Sequence, residues 1–275
     1  RAEILEIEPH CAGIEGIWVP QSGIADYVGI AQKLKTLLQE EGVDFHFDES
    51  LESVEKKNAA IVHTSERTLE SKLFINCSGL YSDIVAKNTG AKVPIQILPF
   101  RGEYFKLKAE KEYLVNNLIY PVPDPNFPFL GVHFTRMING GIEAGPNAVL
   151  AFKREGYKKS QVNVSELLET LMWPGFQKVA SKYWKTGFGE LYRSFSKAAF
   201  TKALQKLIPE IQEDDLIVGE AGVRAQACDR TAGLLDDFAI IETSGAINVC
   251  NAPSPAATSS LSIGKTVADL ALKRF

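Results

Sequence analysis

One histidine and one arginine, His133 and Arg136, lie in a strand-like segment that directly follows a proline-rich run. The prolines of this run are Pro121, Pro123, Pro125 and Pro128. Because proline fixes φ and removes a backbone donor, the run predicts a stiff, irregular connection rather than a helix or a central strand. A rigid connection holds an imidazole and a guanidinium in place, and this pair suits an anionic substrate that must lose a proton.

His133 is the strongest candidate for a proton acceptor. An imidazole titrates near neutral pH and can therefore take a hydroxyl proton from a substrate. The alternative is a packed histidine satisfied by backbone groups, which would be favoured for an isolated histidine. The position between the prolines and Arg136 favours the base. His10 fits a turn near the wall of a site, and His46 and His63 are expected to face solvent.

Three arginines lie in apolar, motif-like surroundings, where an unpaired charge would be costly. They are Arg101, Arg136 and Arg224. A guanidinium binds a carboxylate through two parallel hydrogen bonds, so these side chains are candidates for holding a carboxylate substrate. The alternative is a structural salt bridge to one of the many acidic residues. We expect at least one of the three to bind substrate and at least one to be structural. The Tyr104 hydroxyl is a further candidate, although a tyrosine on a sheet is more often simply packed.

Two segments place small residues directly before a helix. A short buried-type strand at residues 73–77 leads into Ser78 and Gly79, and a helix is expected over 81–88. This order brings backbone amides near a nucleotide, although many α/β crossovers share it. Near the C-terminus, residues 251–260 are small residues and prolines that precede a helix. The free amides and the dipole of such a helix start favour negative charge, and an ordinary capped helix is the alternative.

Composition fits a folded globular protein and argues against several classes of function. The chain is 45% hydrophobic and 23% charged, which is near the average of folded domains. The net charge of −4 argues against nucleic acid as a partner, because phosphate binding needs a basic surface. No apolar run is long enough to span a bilayer, and no secretory signal opens the chain. The four cysteines show no metal-ligand spacing and are expected to be reduced thiols of a cytosolic protein.

Hydrophobic periodicity predicts a mixture of helices and sheets. A helix is expected over 27–41, with Gly42 as its stop, and a strand over 43–47. Residues 93–156 are rich in β-branched and aromatic residues and predict an antiparallel or mixed sheet. A helix is expected over 166–172, where Asn163 and Glu166 have the spacing of a capping box. Pro174 and Gly175 break it, a second helical face follows over 176–183, and a further helix is expected over 198–207.

Several blocks of the sequence closely resemble one protein family. They read Glu8-Pro-His10, Val19-Pro-Gln-Ser-Gly-Ile-Ala-Asp-Tyr27, Pro99-Phe-Arg-Gly-Glu-Tyr104, Gly145-Pro-Asn-Ala-Val-Leu-Ala-Phe152, Ala221-Gly-Val-Arg-Ala-Gln226 and Asn251-Ala-Pro-Ser-Pro-Ala-Ala-Thr-Ser-Ser260. Together with the proline-rich run, these blocks resemble the FAD-dependent L-2-hydroxyglutarate oxidases and dehydrogenases, within the D-amino-acid-oxidase-like flavoproteins. That family begins with a G-x-G-x-x-G strand–turn–helix, which is absent here. The chain therefore resembles the central and C-terminal part of a longer flavoprotein.

The resemblance implies oxidation of L-2-hydroxyglutarate to 2-oxoglutarate, with electrons passing through FAD to oxygen or a membrane quinone. His133 is then the base, and Arg136 with Arg101 or Arg224 binds the two carboxylates. Arg101 and Arg224 alternatively approach the flavin edge, and Tyr104 adds a hydroxyl to the pocket. The residues expected to bind FAD are Ser78, Gly79, Asn251, Pro253, Ser254 and Ala256.

The expected organisation is an α/β (α+β) protein in which residues 1–95 and 216–275 belong to a Rossmann-like FAD-binding domain. Residues 96–215 form a substrate domain with a mixed or antiparallel sheet. The expected location is the cytoplasm or the periphery of the inner membrane. Two alternatives stay open. One is a related oxidation of an amino acid or a glycerol phosphate, and an amine substrate predicts activity that rises with pH as the ammonium deprotonates. The other is a flavin-free, non-catalytic remnant, which the missing G-x-G-x-x-G favours.

Overall fold

The computed structural model describes residues 1–56, 59–123, 131–231, 233–252 and 256–275. Its α-helices are α1 (Ala2–Ile7), α2 (Tyr27–Glu40), α3 (Ser82–Asn88), α4 (Val164–Met172), α5 (Pro174–Phe195), α6 (Lys197–Leu204) and α7 (Ser260–Leu272). Its strands are β1 (Leu51–Lys56), β2 (Ala60–Thr64), β3 (Thr68–Ser71), β4 (Phe74–Asn76), β5 (Ile95–Leu107), β6 (His133–Arg136), β7 (Ile142–Leu150), β8 (Leu216–Asp229), β9 (Gly233–Leu234), β10 (Ala239–Glu242) and β11 (Ala246–Asn251). This mixture of helices and sheets confirms the predicted fold class.

The largest sheet is antiparallel and has the strand order β6-β7-β5-β8-β9. Its core packs against α6 and the turn that follows, where Phe134, Phe200 and Leu204 are almost completely buried. The long strands β5 and β8 pair from end to end. Strand β8 thus pairs with a strand of the predicted substrate domain, although it follows residue 215. The division into domains stays a prediction.

A smaller sheet has the order β10-β11-β4, in which β4 and β11 are parallel. Side chains of α7, including Val267 and Ala271, pack against Ile247 and Val249 of β11. A buried cluster that includes Ala227 of β8 and Cys250 of β11 joins this sheet to the large one. The carboxyl ends of β4 and β11 therefore lie beside strand β8. A third sheet, β1-β2-β3, is a separate antiparallel meander.

A buried ion pair holds α3 to the large sheet. Asp83 is fully buried, and its carboxylate accepts hydrogen bonds from both terminal guanidinium nitrogens of Arg154, at 2.7 and 3.0 Å. The same carboxylate accepts from the backbone amides of Ile84 and Ile97. A buried carboxylate is tolerated only when it is paired and fully hydrogen-bonded, as it is here. This network fixes the start of α3 close to the ends of β4 and β11.

The structure confirms most predicted helices and corrects several details. Helix α2 is capped by the Asp26 side chain, and Gly42 has a φ of +85°, as a glycine stop requires. The strand predicted over 43–47 is wrong: the segment has no regular secondary structure and pairs with no strand within the described residues. The helix predicted over 198–207 ends three residues earlier, at Leu204.

The predicted capping box at α4 is half correct. The Asn163 side chain caps the helix by accepting from the amides of Ser165 and Glu166. The reciprocal bond is absent, because the Glu166 carboxylate accepts from the Arg154 amide, at 2.7 Å, and the Asn163 amide donates to Phe152. The second helix is confirmed, but Pro174 and Gly175 belong to its first turn rather than to a break. Helix α5 spans 22 residues from Pro174, with non-helical backbone angles at Tyr183. Among the helices described, none is both long and apolar enough to cross a membrane.

Candidate active site

His133 is the first residue of β6, and its ring is held on two sides. Its Nδ1 atom lies 3.0 Å from the carbonyl oxygen of Gly131. Because a carbonyl can only accept, Nδ1 carries the proton in the neutral ring, and Nε2 keeps a lone pair. The Tyr120 ring stacks on the imidazole, with centroids 4.2 Å apart and planes inclined by 23°. Burial lowers the pKa of His133, and the bond to Gly131 offsets only part of this shift. The ring is therefore neutral and able to accept a proton at neutral pH.

Two further groups surround this ring pair. Burial raises the pKa of the Tyr104 phenol, and the nearby Glu143 and Tyr120 raise it further. Burial also raises the pKa of Glu143, which lies opposite Thr135 on the neighbouring strand. We refer to Tyr104, Tyr120, His133 and Glu143 as the His133 cluster. The structure thus brings the predicted Tyr104 and His133 to one place on the sheet.

Glycine is required directly opposite His133. Gly145 pairs with His133 across β6 and β7 and has a φ of +152°. A Cβ at this position would lie 2.8 Å from the Tyr104 ring and 2.9 Å from the Glu103 carbonyl oxygen, which is too close for real atoms. The missing side chain is what lets Tyr104 lie against the strand beside the histidine. The first residue of the block 145–152 therefore leaves the space that the Tyr104 ring of the cluster occupies.

Arg136 is engaged by the backbone. Its Nε atom donates to the Asn116 carbonyl at 3.0 Å, and a terminal nitrogen donates to the Val115 carbonyl at 2.6 Å. Side chains alternate along a strand, so Arg136 lies on the opposite face of β6 from His133. The predicted role of Arg136 in carboxylate binding stays a prediction, and these contacts favour a structural role instead.

Arg101 is buried in a polar network. Its guanidinium donates to Glu103 at 2.9 and 3.0 Å and to the Gly156 carbonyl at 3.3 Å. Glu103 also accepts from the Ser194 hydroxyl and pairs with Lys159. These contacts are those of a structural salt bridge, the alternative weighed for each arginine. Binding of substrate by Arg101 stays a prediction.

Arg224 lies half-buried on β8. Loss of water contact is the main influence on the pKa of its side chain. Burial lowers the pKa of its guanidinium, and Asp236 partly opposes this shift. Its neighbour Ala225 lines a cavity described below. Two residues before Arg224, Gly222 pairs with Gly102 of β5, and a Cβ at Gly222 would meet nothing within 4 Å. A Cβ at Gly102 would instead lie 3.1 Å from Pro146 and 3.5 Å from the Tyr104 ring, so open space adjoins only the Gly222 side of this pair.

A cavity of about 530 Å³ opens where β4 and β11 end beside α7. Its volume is within the range of about 300–1,000 Å³ typical of small-molecule and cofactor sites. We call it the small-residue groove, because its walls include Gly79, Ala225, Ala252, Ala256, Ala257 and Gly264. Three of the predicted cofactor residues, Gly79, Asn251 and Ala256, therefore line it together, and Gly79 has a φ of +54° that favours glycine.

The predicted cofactor residues differ in what their side chains do. Asn251 lines the groove, but its amide is committed to the backbone of Ala227, Leu235 and Asp237. Ser78 lies beside Gly79, and its hydroxyl donates to Asn76 at 2.6 Å. The prediction for Pro253 and Ser254 falls outside the described residues. Within those residues, no group of three or more acidic, cysteine or histidine side chains is arranged to hold a metal ion.

Sequence reasoning missed Tyr120 and Glu143. Tyr120 directly precedes Pro121 in the proline-rich run, so its position in that run was a usable signal. Glu143 gave none, because its proximity to Tyr104 depends on the pairing of β5 with β7. The groove residue Cys77 was also missed; it is an exposed free thiol at the end of β4.

Comparison with known proteins shows the family to which the chain belongs. A family model described as DAO, FAD dependent oxidoreductase, matches residues 1–270. The chain is 66% identical to L-2-hydroxyglutarate dehydrogenase of Indibacter alkaliphilus, over 99% of this chain and 69% of that protein. It is 43% identical to the Escherichia coli K12 protein of the same name, over 95% of this chain and 63% of that protein. The chain thus spans about two thirds of the length of these relatives.

Solved structures with low sequence identity share the fold. FAD-bound L-alpha-glycerophosphate oxidase from Mycoplasma pneumoniae matches with a TM-score of 0.67 and 19% identity, over 95% of this chain and 60% of that one. Glycine oxidase from Geobacillus kaustophilus matches with a TM-score of 0.62 and 15% identity, over 100% of this chain and 62% of that one. With the family match over residues 1–270, the conclusion is that the chain belongs to the FAD-dependent oxidoreductase family, among the L-2-hydroxyglutarate dehydrogenases.

Proposed function

We propose that this chain carries out the FAD-dependent oxidation of L-2-hydroxyglutarate to 2-oxoglutarate, together with whatever further segments its longer relatives contain. The observation that carries the proposal is the state of His133, a half-buried ring whose Nδ1 is committed to a carbonyl. Oxidation of a secondary alcohol removes a hydride from C2 and a proton from the hydroxyl group. A neutral imidazole with a free lone pair on Nε2 is the group that takes this proton.

The His133 cluster supports the same assignment. In the proposed reaction Nε2 accepts the hydroxyl proton while the hydride leaves C2, so the C2 oxygen becomes a carbonyl. The Gly131 carbonyl then stabilises the imidazolium through the Nδ1 proton, since that hydrogen bond strengthens when the ring is charged. Tyr120 keeps the ring plane fixed, and Tyr104 offers a phenol that remains protonated at neutral pH.

FAD fits the small-residue groove. Gly264 faces it from α7, and a Cβ built there would meet nothing within 4 Å, so bare helix backbone borders open space. Within the described residues the Ser259 side chain makes no capping hydrogen bond to α7, and the helix dipole favours negative charge at this end. Gly79, Ala252, Ala256 and Gly264 are the residues that we propose to hold the cofactor. When bound there, FAD supplies the acceptor for the hydride.

Replacing Gly264 with leucine tests this assignment of the groove. The Cβ of the new side chain would meet nothing within 4 Å, and the rest of the side chain would extend into the groove, so we expect FAD affinity to fall at least ten-fold. Leucine is favoured over glycine within a helix by up to about 1 kcal/mol, so thermal stability should stay the same or rise. The measurement is FAD binding by flavin fluorescence alongside a melting curve.

The matched control is Gly187→Leu. Gly187 is also a helical glycine with open space around its Cβ position, but it lies in α5 and lines a different cavity. This variant should bind FAD with unchanged affinity. Equal FAD affinity in Gly264→Leu and the unmodified protein would place the cofactor elsewhere.

We also propose that the protein contacts a membrane through α4 and α5 and passes its electrons to a quinone in that membrane. Oxygen is the alternative electron acceptor. The exposed side chains of this face are Leu168, Leu171, Met172, Trp184, Phe188, Tyr192 and Phe195. Lys182 and Lys185 lie over the neighbouring Tyr183 and Trp184 rings. Aromatic residues with flanking lysines are typical of helices that lie on anionic bilayers.

Sedimentation with anionic vesicles tests the membrane proposal. Trp184→Ser with Phe188→Ser should release most of the protein from the vesicles, because both rings leave the apolar face. Ile217→Ser, at an exposed position on β8, is the control and should leave binding unchanged. Failure of the unmodified protein to sediment with the vesicles would remove this proposal and leave oxygen as the acceptor.

A further inference from the structure

We propose that Glu8, Arg136 and Tyr120 are positioning residues that together fix the ring plane and the tautomer of His133. The inference rests on the proposed role of His133 as the base, but it concerns how the chain holds that ring. Three contacts, each between segments distant in the sequence, connect Glu8 to His133. We call these connected residues the positioning frame: Glu8, the segment 115–120, Arg136 and His133.

The first contact fixes a turn. Glu8 is buried, with 7% of its surface exposed, and its two carboxylate oxygens accept three hydrogen bonds from residues more than one hundred positions away. One oxygen accepts from the Asn116 amide at 2.9 Å. The other accepts from the Asn117 amide at 2.5 Å and from its side-chain nitrogen at 2.8 Å. A carboxylate that receives three donors holds the backbone of residues 116–117 in one conformation.

The second contact fixes the opposite edge of the same turn. The Arg136 guanidinium donates to the carbonyls of Val115 and Asn116, at 2.6 and 3.0 Å. Glu8 therefore accepts hydrogen bonds from the amide groups of this turn, and Arg136 donates hydrogen bonds to its carbonyl groups. A charged group at each edge thus satisfies backbone groups of the turn, in which Val115 is buried and Asn116 is exposed. The arginine that follows the histidine thus acts on the backbone segment that leads to Tyr120.

The third contact brings that segment to the histidine. Ile119 and Phe134 exchange both backbone hydrogen bonds, at 3.0 and 2.9 Å. This bridge places the next residue, Tyr120, against His133, which precedes Phe134, and the two rings stack. The ring is thereby held between Tyr120 and the Gly131 carbonyl. Any displacement of residues 115–120 moves Tyr120 and frees the imidazole to turn.

The titratable groups around His133 come from three elements. Tyr120 covers one face, and Tyr104 of β5 and Glu143 of β7 complete the cluster. Arg136 belongs to the opposite face of the same strand. Loss of the Tyr120 ring exposes the imidazole to water, which favours its charged form. The positioning frame therefore predicts two linked changes in the variants: the pKa of His133 rises, and the neutral ring populates both tautomers.

Side-chain ¹⁵N NMR of the intact chain tests this directly, because the protein has four histidines and His133→Gln identifies the signals of His133. In the unmodified protein, the neutral ring should show a proton on Nδ1 and none on Nε2. Glu8→Gln replaces one acceptor oxygen by a donor that faces the amide donors of the turn. Both Glu8→Gln and Tyr120→Leu should show a mixture of tautomers and a raised pKa of His133.

Two variants serve as controls. Tyr120→Phe keeps the stacked ring and should keep both the tautomer and the pKa of His133. Glu210→Gln removes the carboxylate that pairs with His10, a residue of the segment that follows Glu8. This pair lies outside residues 115–120. It should leave His133 unchanged. Tyr120 is 49% exposed, so Tyr120→Leu should fold even if Glu8→Gln does not.

The outcomes separate this inference from the proposed function. Unchanged tautomer and pKa of His133 in folded Tyr120→Leu would overturn the positioning frame and leave the base in place. Shifted NMR signals together with full activity of His133→Gln would instead keep the frame and remove the base. In reconstituted enzyme, Glu8→Gln should lower kcat by up to about a hundred-fold with little change in KM, because misplaced catalytic groups reduce turnover. A purely structural role would lower stability without changing the pKa of His133.

Discussion

Replacement of His133 by glutamine lowers kcat/KM for L-2-hydroxyglutarate by about 10²–10⁴-fold, the usual contribution of a general base. Glutamine keeps a polar side chain of similar length but has no group that gains a proton near neutral pH. Hydride transfer then has to proceed while the hydroxyl proton is still in place. The measurement is the rate of flavin reduction in anaerobic stopped-flow experiments over a range of substrate concentrations, from which both the limiting rate and kcat/KM follow.

His10→Gln is the matched control for this variant. His10 belongs to the same family-like part of the sequence and pairs with Glu210, but it lies outside the His133 cluster. FAD affinity should be unchanged in both variants, since neither side chain lines the groove. Flavin reduction in His133→Gln within ten-fold of the unmodified rate would contradict the role of His133 as the base.

The pH dependence follows from the lowered pKa of His133. The base is competent when neutral, so kcat/KM should rise as pH increases through this pKa and then stay constant. Because burial lowers the pKa, the plateau should already be reached at neutral pH. An amine substrate would instead require loss of its ammonium proton, and activity would continue to rise at alkaline pH. The shape of the profile therefore separates a hydroxy acid from an amino acid.

Replacement of Arg224 by methionine raises KM for L-2-hydroxyglutarate and lowers kcat/KM by about 30- to 1,000-fold, equivalent to roughly 2–4 kcal/mol. Arg224 is one of the three arginines predicted to bind a substrate carboxylate. It lies half-buried on β8, where burial lowers the pKa of its guanidinium, so a substrate carboxylate would stabilise the charged form. Methionine keeps the apolar part of the side chain and removes all of the guanidinium donors.

Two further variants locate the effect. Arg224→Lys keeps the charge but loses the bidentate geometry, so its KM should lie between the KM of the unmodified protein and that of Arg224→Met. Arg230→Met removes an exposed arginine, one that lies over the Trp173 ring, and should leave KM unchanged. A lowered kcat in Arg224→Met with unchanged KM would place Arg224 at the flavin edge instead.

Local features of the sequence predicted much of the fold. The apolar spacing of α2, its Gly42 stop and the Asn163 cap depend on neighbouring residues, and all appear in the structure. The strand predicted over 43–47 failed because a strand needs a partner, which no local pattern of apolar residues provides. Glu166 failed as a capping residue because the Arg154 amide, brought near by tertiary packing, takes its carboxylate.

The site was predictable in part for the same reason. His133 and Tyr104 stood out by their surroundings in the sequence, and the small residues 251–260 indicated the groove. The contacts of Arg136 could not be predicted, because its partners Val115 and Asn116 lie about twenty positions away in an irregular turn. The commitment of the Asn251 amide likewise depends on strand β8 and the segment before β10. Long-range polar contacts, rather than residue types, decide which candidate side chains remain available for substrate.

Anaerobic addition of L-2-hydroxyglutarate to the FAD-reconstituted protein tests the central claim most directly, with the visible absorption of the flavin as the signal. The proposed function predicts that the L enantiomer bleaches the oxidised flavin, that 2-oxoglutarate forms in equal amount, and that the D enantiomer has little effect. The claim would be contradicted by a protein that holds FAD and remains yellow with L-2-hydroxyglutarate, or that glycine or glycerol phosphate reduces equally fast. Failure to take up FAD, when the segments of the longer relatives are also present, would contradict the assignment of the small-residue groove.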